Sequence, residues 1–418
     1  MTQVRAAVLV TGSEILIGRT VDTNSSFLAR ALDDYGVRLE RIVAVDDREE
    51  EIVAALSELL RSGVDLILTS GGLGPTHDDR TVACVARAAG VELVLDEATL
   101  AQIDAIVAEF ARSRGVDAAT FSRGNRKQAM VPAGAEVLAP IGTAPGVIMP
   151  VGDQRIIVLP GPPVELSRMW PAAVASPLVA PLLGGGLPRK VLRVYGVAES
   201  SIADAFQDLG GDVGGTETTI CASRAEIEIV IRHPAAAEDA AGRLAAGLRE
   251  RFGSAVFSEG PATLEAITID ALRDRGGTLA TAESCTAGLV AARLAAVPGA
   301  SDVLVGGIVA YANEIKQSLL GVPAERLQAY GSVSAECARA MAEGARRATG
   351  ADLAVSVTGV AGPGGGTPSK PVGLVYIHVT ADGVDRGVER RFPGPRENVR
   401  DWAATAALHL VRIVAQRS

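Results

Sequence analysis

Aromatic side chains and paired cysteines are scarce in this sequence, and both shortages limit the class of protein. Only 3% of the 418 residues are Phe, Trp or Tyr, although 48% are hydrophobic. A core of this composition consists mainly of Ala, Val, Leu and Ile, which is typical of α/β proteins with buried parallel strands. The four cysteines, at positions 84, 221, 285 and 337, form no C-x-x-C pair. This pattern favours reduced thiols in the cytoplasm over a disulfide framework or a zinc site.

Long basic runs and long apolar runs are also missing. The formal net charge is −9, which argues against a direct nucleic-acid partner held by phosphate neutralisation. The chain begins directly with a strand pattern, so we expect no signal peptide. No apolar segment is long and charge-free enough to cross a bilayer. We therefore expect a cytoplasmic protein with small-molecule substrates and with no membrane or nucleic-acid partner.

The length of the chain suits two or three domains of about 100–200 residues each. We place three domains, at residues 1–172, 173–258 and 259–418. In the first, apolar runs at residues 4–10, 39–45 and 65–70 alternate with helical patterns. This βαβαβ order predicts a doubly wound parallel sheet, which binds ligands at the carboxyl ends of its strands. The second segment follows the order β, α, β, α and predicts a small α+β module, and the third predicts an α/β domain.

A glycine-rich loop with two acidic residues follows the third strand of the first domain. It comprises Gly71-Gly72-Leu73-Gly74-Pro75-Thr76-His77-Asp78-Asp79-Arg80-Thr81. Glycines at such an end can admit a phosphate, while Asp78 and Asp79 can hold a divalent ion or orient water. The alternative is that one carboxylate caps the helix beginning at Thr81 and the glycines only make the turn. The residues alone leave the two interpretations evenly balanced.

In the third domain, the segment Ala282-Glu283-Ser284-Cys285-Thr286-Ala287-Gly288 lies between a strand pattern and an alanine-rich helical pattern. Ser284 would lie beside the unpaired N–H groups at the start of that helix, which suits a nucleophile whose attack creates an anion. The alternative is that Ser284, Cys285 and Thr286 only cap the helix, since Ser and Thr are preferred N-caps, and the heptapeptide alone favours that alternative about two to one. Cys285 is the competing nucleophile, because a thiol at a helix N-terminus acquires a lowered pKa.

Two further segments favour chemistry at Ser284. The segment Tyr311-Ala312-Asn313-Glu314-Ile315-Lys316 places a phenol and an amine at a predicted strand-to-helix junction. Lys316 can deprotonate Ser284 if burial lowers its pKa toward neutrality. The segment from Ser356 to Thr367 is a buried-strand pattern followed by a glycine-rich loop, whose N–H groups can approach a phosphate or an oxyanion, unless it is a loose turn. His378 lies in an apolar strand pattern and is interpreted as a buried core histidine.

These segments resemble the C-terminal domain of the CinA family, the nicotinamide mononucleotide (NMN) deamidases, whose pattern includes ESCTGG, YxNxxK and TGxAGPxGGTxxKPVG. The resemblance implies catalytic roles for Ser284, Lys316 and Tyr311, and no cofactor. The substrate-binding set comprises Glu283, Cys285, Thr286, Gly288, Asn313, Thr358, Gly359, Gly362, Pro363, Gly364, Arg396 and Arg400. The two arginines lie four residues apart on one predicted helical face, either as partners of the substrate phosphate or as an exposed basic pair. Ala287 stands where the family usually has glycine, which costs energy if the position requires positive φ.

The first domain resembles the N-terminal CinA domain, which is related to the MogA/MoaB molybdopterin-binding fold. The matching segments are residues 12–18, 22–24, 71–81, 125–129, 142–146 and 159–166. The implied nucleotide-binding set comprises Glu14, Asn24, Gly71, Gly72, Gly74, Thr76, Asp78, Thr81, Lys127, Gly142, Thr143, Gly161, Pro163 and Glu165. The resemblance also implies a divalent metal ion of unknown identity near Asp78 and Asp79. The middle segment is implied to be a KH-like linking domain with a role in spacing and dimer contact, so we expect a homodimer.

The resemblance implies a pyridine-nucleotide recycling enzyme with two activities. The C-terminal domain is expected to convert NMN to nicotinic acid mononucleotide and ammonia, and the N-terminal domain to hydrolyse ADP-ribose to AMP and ribose 5-phosphate with its metal ion. We expect Ser284 to attack the carboxamide carbon while Lys316 takes the proton, with Tyr311 relaying or orienting it. Backbone N–H groups near Cys285 or in the loop at 359–362 would stabilise the oxyanion. The alternative is a non-catalytic N-terminal module that binds a nucleotide or pterin in competence or the DNA-damage response.

Overall fold

The computed structural model describes residues 3–416, and the chain divides into two compact units. The first unit ends at Leu187 and the second begins at Pro188. The second unit therefore contains residues 188–258 of the predicted linking domain together with the predicted C-terminal domain. The helix Pro163–Ala175 crosses the predicted boundary at residue 172, and Leu178, Val179 and Leu182 beyond it still pack into the core of the first unit.

The first unit has the following helices and strands. Its strands are β1 (Arg5–Thr11), β2 (Arg38–Val45), β3 (Leu66–Ser70), β4 (Leu93–Leu95), β5 (Met130–Pro132), β6 (Glu136–Leu138), β7 (Gly146–Val151) and β8 (Gln154–Leu159). Its helices are α1 (Ser13–Leu16), α2 (Asn24–Asp34), α3 (Glu49–Arg61), α4 (Thr81–Ala89), α5 (Glu97–Arg114), α6 (Ser122–Gln128) and α7 (Pro163–Ala175). The short strands β4 and β5 form a separate antiparallel pair.

Six of these strands form one sheet in the order β2-β1-β3-β8-β7-β6. β1 pairs in parallel with β2 and β3, and β3 pairs in parallel with β8. β7 and β6 complete the sheet as antiparallel strands. The predicted doubly wound sheet is thus confirmed, with an antiparallel hairpin added at one edge. Because β2 and β3 lie on opposite sides of β1, the carboxyl ends of β1 and β3 form the topological switch point where such sheets bind ligands.

Helices cover both faces of this sheet, and each face has its own core. α2 and α7 contribute Leu28 and Leu166 to one core, whereas α3 and α4 contribute Leu56 and Val85 to the other. Residues of β1 and β3 alternate between the two cores, because successive side chains of a strand point to opposite faces. Each such aliphatic side chain contributes about 1.5–3 kcal/mol to stability when fully buried.

The second unit begins with a small α+β module. Its elements are β9 (Arg189–Tyr195), α8 (Glu199–Asp208), β10 (Glu217–Ser223), β11 (Glu226–Arg232), α9 (Glu238–Phe252) and β12 (Val256–Glu259). The strands form an antiparallel sheet in the order β10-β11-β9-β12. The predicted order β, α, β, α agrees with β9, α8, β11 and α9 but lacks the two edge strands.

Each missing strand has a local reason. The hairpin between β10 and β11 turns at Arg224 and Ala225, whose φ angles are 51° and 63°. Both residues have the positive φ of a type I′ turn, but the Asn-Gly or Asp-Gly pair that usually marks such a turn in a sequence is absent. β12 crosses the predicted boundary between residues 258 and 259 and pairs with β9.

The rest of the second unit is built on a five-stranded sheet. Its helices are α10 (Leu264–Asp274), α11 (Leu289–Ala295), α12 (Asn313–Ser318), α13 (Ala324–Tyr330), α14 (Ala335–Thr349) and α15 (Arg396–Ala415). Its strands are β13 (Leu279–Glu283), β14 (Leu304–Val309), β15 (Leu353–Gly359), β16 (Leu374–Ala381) and β17 (Val384–Arg391), in the order β14-β13-β15-β16-β17. β14, β13 and β15 run parallel, and β16 and β17 run antiparallel. The carboxyl ends of the three parallel strands therefore meet at one edge of the sheet.

Helices cover both faces of this second sheet as well. α10, α11 and α15 pack on one face, which includes Leu279 of β13, and α14 packs on the other, which includes Ala280 and Ala282. Strand alternation then turns Glu283, at the end of β13, toward the α11 face. His378 is buried on β16 with its Nε2 2.6 Å from the Asp385 Oδ1, as expected for a core histidine with a partner. Between residues 3 and 416, no helix has the length and apolar character needed to cross a membrane.

Candidate functional site

The carboxyl ends of β13, β14 and β15 bring the predicted nucleophile and base together. The N–H of Ser284, directly after β13, donates to the Val357 carbonyl of β15 at 2.9 Å. Lys316 lies on α12, which follows β14, and its Nζ lies 3.0 Å from the Ser284 Oγ. The two side chains are therefore directly hydrogen-bonded.

Lys316 is almost inaccessible to solvent, with 1% of its surface exposed. Its Nζ lies 2.8 Å from the Ala310 carbonyl oxygen and 3.0 Å from the Tyr311 carbonyl oxygen. Burial lowers the pKa of Lys316 below its ordinary value of 10.5, because it disfavours the charged ammonium. A neutral amine has two N–H groups, which the two carbonyls accept, and one lone pair, which can accept the Ser284 O–H. The three contacts therefore match the form of lysine that acts as a base.

Glu283 caps the helix that follows Ser284. Its side chain is 1% exposed, and its carboxylate accepts the N–H of Val290 at 3.1 Å and that of Ala291 at 3.0 Å. The Thr281 hydroxyl lies 3.2 Å from the same carboxylate. These contacts correct the expectation that Glu283 binds substrate. They also use the Val290 and Ala291 N–H groups of α11, so these two amides are not free to bind an oxyanion.

Cys285 is unsuited to act as the nucleophile. It is 5% exposed and belongs to the hydrophobic core that contains Val290 and Leu294. Burial raises the pKa of the Cys285 thiol to about 12, opposite to the lowered pKa expected at a helix N-terminus. The thiolate fraction near neutral pH is then negligible, which leaves Ser284 as the nucleophile that the site favours.

The turn after Ser284 carries backbone donors that have no protein acceptor. The Ala287 N–H donates to the Ser284 carbonyl at 3.1 Å, with φ angles of +53° at Ala287 and +91° at Gly288. Throughout the described part of the chain, the N–H groups of Cys285 and Thr286 have no hydrogen-bond acceptor. Both amides are thus unused donors in the turn that follows Ser284, which suits an oxyanion formed there. The whole Thr286 residue is inaccessible to solvent, and its hydroxyl has no hydrogen-bond partner within the described residues.

Arg400 contacts the backbone of this turn. Its Nε lies 3.2 Å from the Cys285 carbonyl oxygen and its Nη2 lies 3.0 Å from the Thr286 carbonyl oxygen. The expectation that Arg400 binds the substrate phosphate is corrected for this edge of the guanidinium, because both of its donors are already used by the protein.

Arg396 and Tyr311 join the loops on the other side of Ser284. The Arg396 Nη1 donates to the Gly362 carbonyl at 2.9 Å, and its Nη2 donates to the Tyr311 phenol oxygen at 2.7 Å. Tyr311 contacts Lys316 only through its carbonyl oxygen among the hydrogen bonds of residues 3–416. The predicted phenol relay between Ser284 and Lys316 is therefore corrected to a contact of the phenol with Arg396. Both Arg396 and Tyr311 are exposed, so a substrate can reach them.

The remaining predicted residues of this domain shape the loops. The Thr358 hydroxyl donates to the Ser332 carbonyl at 2.7 Å, which ties β15 to the loop before α14. Gly359 leaves no room for a side chain, since an added Cβ would lie 2.7 Å from the Leu374 carbonyl oxygen. Gly362, Pro363 and Gly364 form the loop that Arg396 contacts. Asn313 is exposed at the first position of α12.

In the first unit, a cavity of about 380 Å³ lies at the switch point between β1 and β3. The predicted residues that line it are Glu14, Asn24, Gly71, Gly72, Asp78, Asp79, Gly161 and Pro163. Asp22 and Asp47 also line it and are absent from the predicted set, although Asp47 follows the carboxyl end of β2, where this fold binds ligands. The described residues of the lining include five carboxylates and no Lys, Arg or His. Burial raises the pKa of Asp47, and the nearby Glu14 adds to this effect.

Asp78 and Asp79 are bonded within their own loop and do not cap α4. The Asp79 Oδ2 accepts the Thr76 N–H at 2.9 Å and the Thr76 hydroxyl at 2.6 Å. The Thr76 hydroxyl also contacts Asp78, which lowers the pKa of that exposed carboxyl. Lys127 donates to the Thr76 carbonyl and lies near both carboxylates. α4 begins after Arg80 without a side-chain cap, so the capping alternative is wrong.

Other predicted residues of the first unit lie outside the larger cavity. Gly74 and Lys127 line a neighbouring cavity of about 110 Å³. The Thr81 hydroxyl donates to the Gly71 carbonyl at 2.8 Å and supports the glycine turn. Gly142, Thr143 and Glu165 line neither cavity. Gly142 lies against Glu165, where an added Cβ would be 2.5 Å from a carboxylate oxygen, and the Thr143 hydroxyl lies 3.4 Å from Gln128.

The donor set of the larger cavity fits a metal ion that is shared with a substrate. Within residues 3–416, no group of three or more His, Cys, Asp and Glu side chains is arranged to hold a metal ion. Mg²⁺ is usually held by one or two carboxylates together with substrate phosphates and water. Asp78 and Asp79 supply such a pair at the rim of the cavity, so these residues suit an ion that arrives with a phosphate-bearing ligand.

Three family models match successive parts of the chain. The probable molybdopterin binding domain matches residues 7–180, the damage-inducible protein CinA KH domain matches residues 189–258, and the CinA C-terminal domain matches residues 261–415. The matched segments contain the cavity of the first unit, the small α+β module and the Ser284 site, respectively.

Two relatives match almost the whole chain. A CinA-like protein of Mycolicibacterium gilvum is 46% identical over 415 residues, which is 98% of each chain. A CinA-like protein of Mycobacterium tuberculosis is 44% identical over 98% of this chain and 96% of its own. The crystal structure of the competence/damage inducible protein CihA from Agrobacterium tumefaciens is 38% identical over 39% of this chain and 100% of its own, with a TM-score of 0.36. With its MogA/MoaB-like, KH and C-terminal domains, the chain belongs to the CinA family.

Proposed function

We propose that the C-terminal domain is an amidohydrolase that converts NMN to nicotinic acid mononucleotide and ammonia. The observation that carries this proposal is the 3.0 Å hydrogen bond between Ser284 and a lysine that is 1% exposed. A buried lysine with a lowered pKa is one of the few groups that can activate a serine hydroxyl without histidine. Of the four histidines in the sequence, only His378 and His409 lie in this domain, and each contacts a carboxylate elsewhere in the fold.

The reaction proceeds in two halves. The Ser284 oxygen bonds to the carboxamide carbon while its proton passes to Lys316, which gives a tetrahedral oxyanion. The carbon–nitrogen bond then breaks, Lys316 returns the proton to the leaving nitrogen, and ammonia departs from an ester on Ser284. Water adds to this ester with Lys316 as base, the bond to Ser284 breaks, and Ser284 recovers its proton as the carboxylic acid leaves.

The backbone and the exposed Arg396 suit the charged parts of this substrate. The free N–H groups of Cys285 and Thr286 stabilise the oxyanion, an effect typically worth about 10²–10³ in turnover per donor. Arg396 and the Tyr311 phenol form an exposed hydrogen-bonded pair, and the Tyr311 carbonyl accepts from Lys316. Such a pair suits the phosphate and ribose of the nucleotide.

A matched pair of variants at neighbouring positions tests the deamidase proposal. We expect Ser284→Ala to lower NMN turnover by about 10³-fold or more, because the group that forms the ester is gone. Cys285→Ser keeps Ser284 and Lys316 and should retain most of the turnover. Ammonia release and formation of nicotinic acid mononucleotide measure both. Retained turnover in Ser284→Ala, with loss only in Cys285→Ser, would assign the chemistry to the thiol instead.

For the first unit we propose metal-dependent hydrolysis of the pyrophosphate bond of ADP-ribose, which gives AMP and ribose 5-phosphate. The supporting observation is the cavity of about 380 Å³ at the switch point, which has five carboxylates and no basic side chain among its described lining residues. A pyrophosphate cannot approach such a wall unless cations screen the repulsion. Asp78 and Asp79 would hold the divalent ion, which would neutralise phosphate charge and supply an activated water when bound. The Gly71 and Gly72 turn lets the backbone approach the phosphates closely.

Two further expectations remain proposals about partners. The deamidase domain needs no cofactor in this scheme, since Ser284, Lys316 and backbone amides supply every group the reaction uses. We propose that the protein works on small nucleotides as a cytoplasmic homodimer, without direct contact to nucleic acid or membrane. A non-catalytic N-terminal module that binds a nucleotide or pterin, in competence or the DNA-damage response, is the competing function for the first unit.

A further inference from the structure

Arg400 makes a contact that substrate binding does not explain. It lies in the second turn of α15, and its Nε and Nη2 donate to two successive carbonyls, those of Cys285 and Thr286, at 3.2 and 3.0 Å. These two nitrogens form one edge of the planar guanidinium and point their hydrogens the same way. The edge therefore matches two neighbouring carbonyls in the way it would match a carboxylate.

The contact determines where the amides of the turn point. In a planar trans peptide the C=O of one residue and the N–H of the next point in opposite directions. With the Cys285 carbonyl turned to Arg400, the Thr286 N–H is directed away from Arg400. With the Thr286 carbonyl turned to Arg400, the Ala287 N–H is directed away as well, and it donates to the Ser284 carbonyl at 3.1 Å. That bond orients the peptide between Ser284 and Cys285, and so the Cys285 N–H.

The two amides fixed in this way are the first two after the nucleophile. Neither has an acceptor anywhere in the described chain, although both belong to residues that are almost fully buried. Buried backbone N–H groups are nearly always hydrogen-bonded, so two unused donors beside a nucleophile indicate a ligand atom that is present only during reaction. The amide directly after the nucleophile commonly serves this purpose in serine hydrolases.

We propose that Arg400 is a positioning residue, which holds the peptide planes of residues 284–287 so that the Cys285 and Thr286 amides can receive the oxyanion formed at Ser284. The inference rests on the proposed serine chemistry and deepens it. It does not depend on NMN being the substrate. Lysine cannot replace Arg400, because an ammonium lacks the parallel pair of N–H donors that forms hydrogen bonds to two carbonyls at once.

The experiment uses the full-length protein and two reactions. The first reaction is acylation of Ser284 by 4-nitrophenyl acetate, which is measured by the release of nitrophenolate and by the increase in mass of the intact protein. The second is turnover of NMN and of nicotinamide riboside, which lacks the phosphate. We expect Arg400→Lys to slow acylation and to lower kcat for both NMN and the riboside by about 10–100-fold, since the donors remain but are no longer fixed. KM for NMN, the NMN-to-riboside KM ratio and the pH midpoint of acylation should stay within about twofold of the parent values.

The controls separate this role from its competitors. Arg391→Lys makes the same exchange of guanidinium for ammonium at an exposed arginine of β17 and should leave both reactions unchanged. Far-UV circular dichroism and Tm show that Arg400→Lys is folded. A rise in KM for NMN but not for the riboside would make Arg400 a phosphate ligand and overturn the proposal, as would an unchanged acylation rate. Failure of the parent protein to acylate at Ser284 would also overturn it, whereas acylation without NMN turnover would refute only the deamidase assignment.

Discussion

The Ser284 site and the N-terminal cavity differ in where their charge comes from. At Ser284 the reacting groups already touch: Lys316 is buried, its pKa is lowered, and its hydrogen bond to Ser284 is formed. At the switch point of the first unit, Asp78 and Asp79 are bonded to Thr76 and face a cavity without a basic side chain among its described lining residues. In the proposed scheme the first site uses protein groups alone, and the second uses a cation from solution. The proposed activities should therefore respond to different conditions, the deamidase to pH and the pyrophosphatase to metal.

Removal of the Asp78 carboxylate should separate the two proposed activities most strongly. We expect Asp78→Asn to lower metal-dependent ADP-ribose hydrolysis by about 100-fold, because the variant loses a negative oxygen ligand. A chelator should abolish this hydrolysis in the parent protein. NMN deamidation should stay within about twofold in both cases, because the chemistry proposed for Ser284 uses no metal. Formation of AMP and of ammonia, measured on the same preparation, gives both rates.

A second acidic residue of the same unit provides the control for that variant. Asp153 is exposed in the turn between β7 and β8, so Asp153→Asn changes the net charge equally but should leave both activities intact. Loss of both activities in Asp78→Asn would contradict independent sites. ADP-ribose bound by the parent protein but never hydrolysed, at any metal concentration, would favour the non-catalytic nucleotide-binding module.

The pH dependence of NMN deamidation should also distinguish it from ADP-ribose hydrolysis, by a smaller effect. Deamidation requires neutral Lys316, whose pKa lies below 10.5 because of burial. The value of kcat/KM should rise about tenfold per pH unit below that pKa and level off above it. The unfolded chain holds the Lys316 proton up to about pH 10.5, so the stability of the second unit should also rise with pH between the folded and the unfolded pKa.

The control for the pH profile is the other activity of the same chain. Asp78 has a lowered pKa and is ionised throughout the neutral range, so its titration gives ADP-ribose hydrolysis no matching rise. Residual turnover of Lys316→Met should lack the rising limb. A limb that persists unchanged in Lys316→Met, or one centred at or above pH 10.5, would show that another group is the base.

The sequence predicted the parts of this site that depend on topology and failed on the parts that depend on side-chain direction. Ser284 and Lys316 both follow parallel strands, and the carboxyl ends of neighbouring parallel strands must meet. Whether Arg400 faces a ligand or the backbone cannot be predicted from its four-residue spacing to Arg396, since that spacing defines a helical face and not what lies opposite. The capping role of Glu283 likewise depends on strand alternation and on a tertiary contact with α11.

Relief of backbone strain beside Ser284 should give the smallest effect. Ala287 has a φ of +53°, a conformation that costs an L-residue about 1–2 kcal/mol, and the glycine usual in the family avoids this cost. Ala287→Gly should therefore stabilise the second unit by about 0.5–1 kcal/mol, after about 0.5–1 kcal/mol is lost to the greater freedom of glycine in the unfolded chain. Urea unfolding followed by circular dichroism measures this gain.

Ala225→Gly provides the matched variant, because Ala225 has a φ of +63° in the hairpin turn between β10 and β11, within the same unit but in the small α+β module. Equal gains in the two variants would attribute the cost to backbone conformation, whereas a gain at Ala225 alone would mean that contacts of the Ala287 methyl group offset the strain beside the nucleophile.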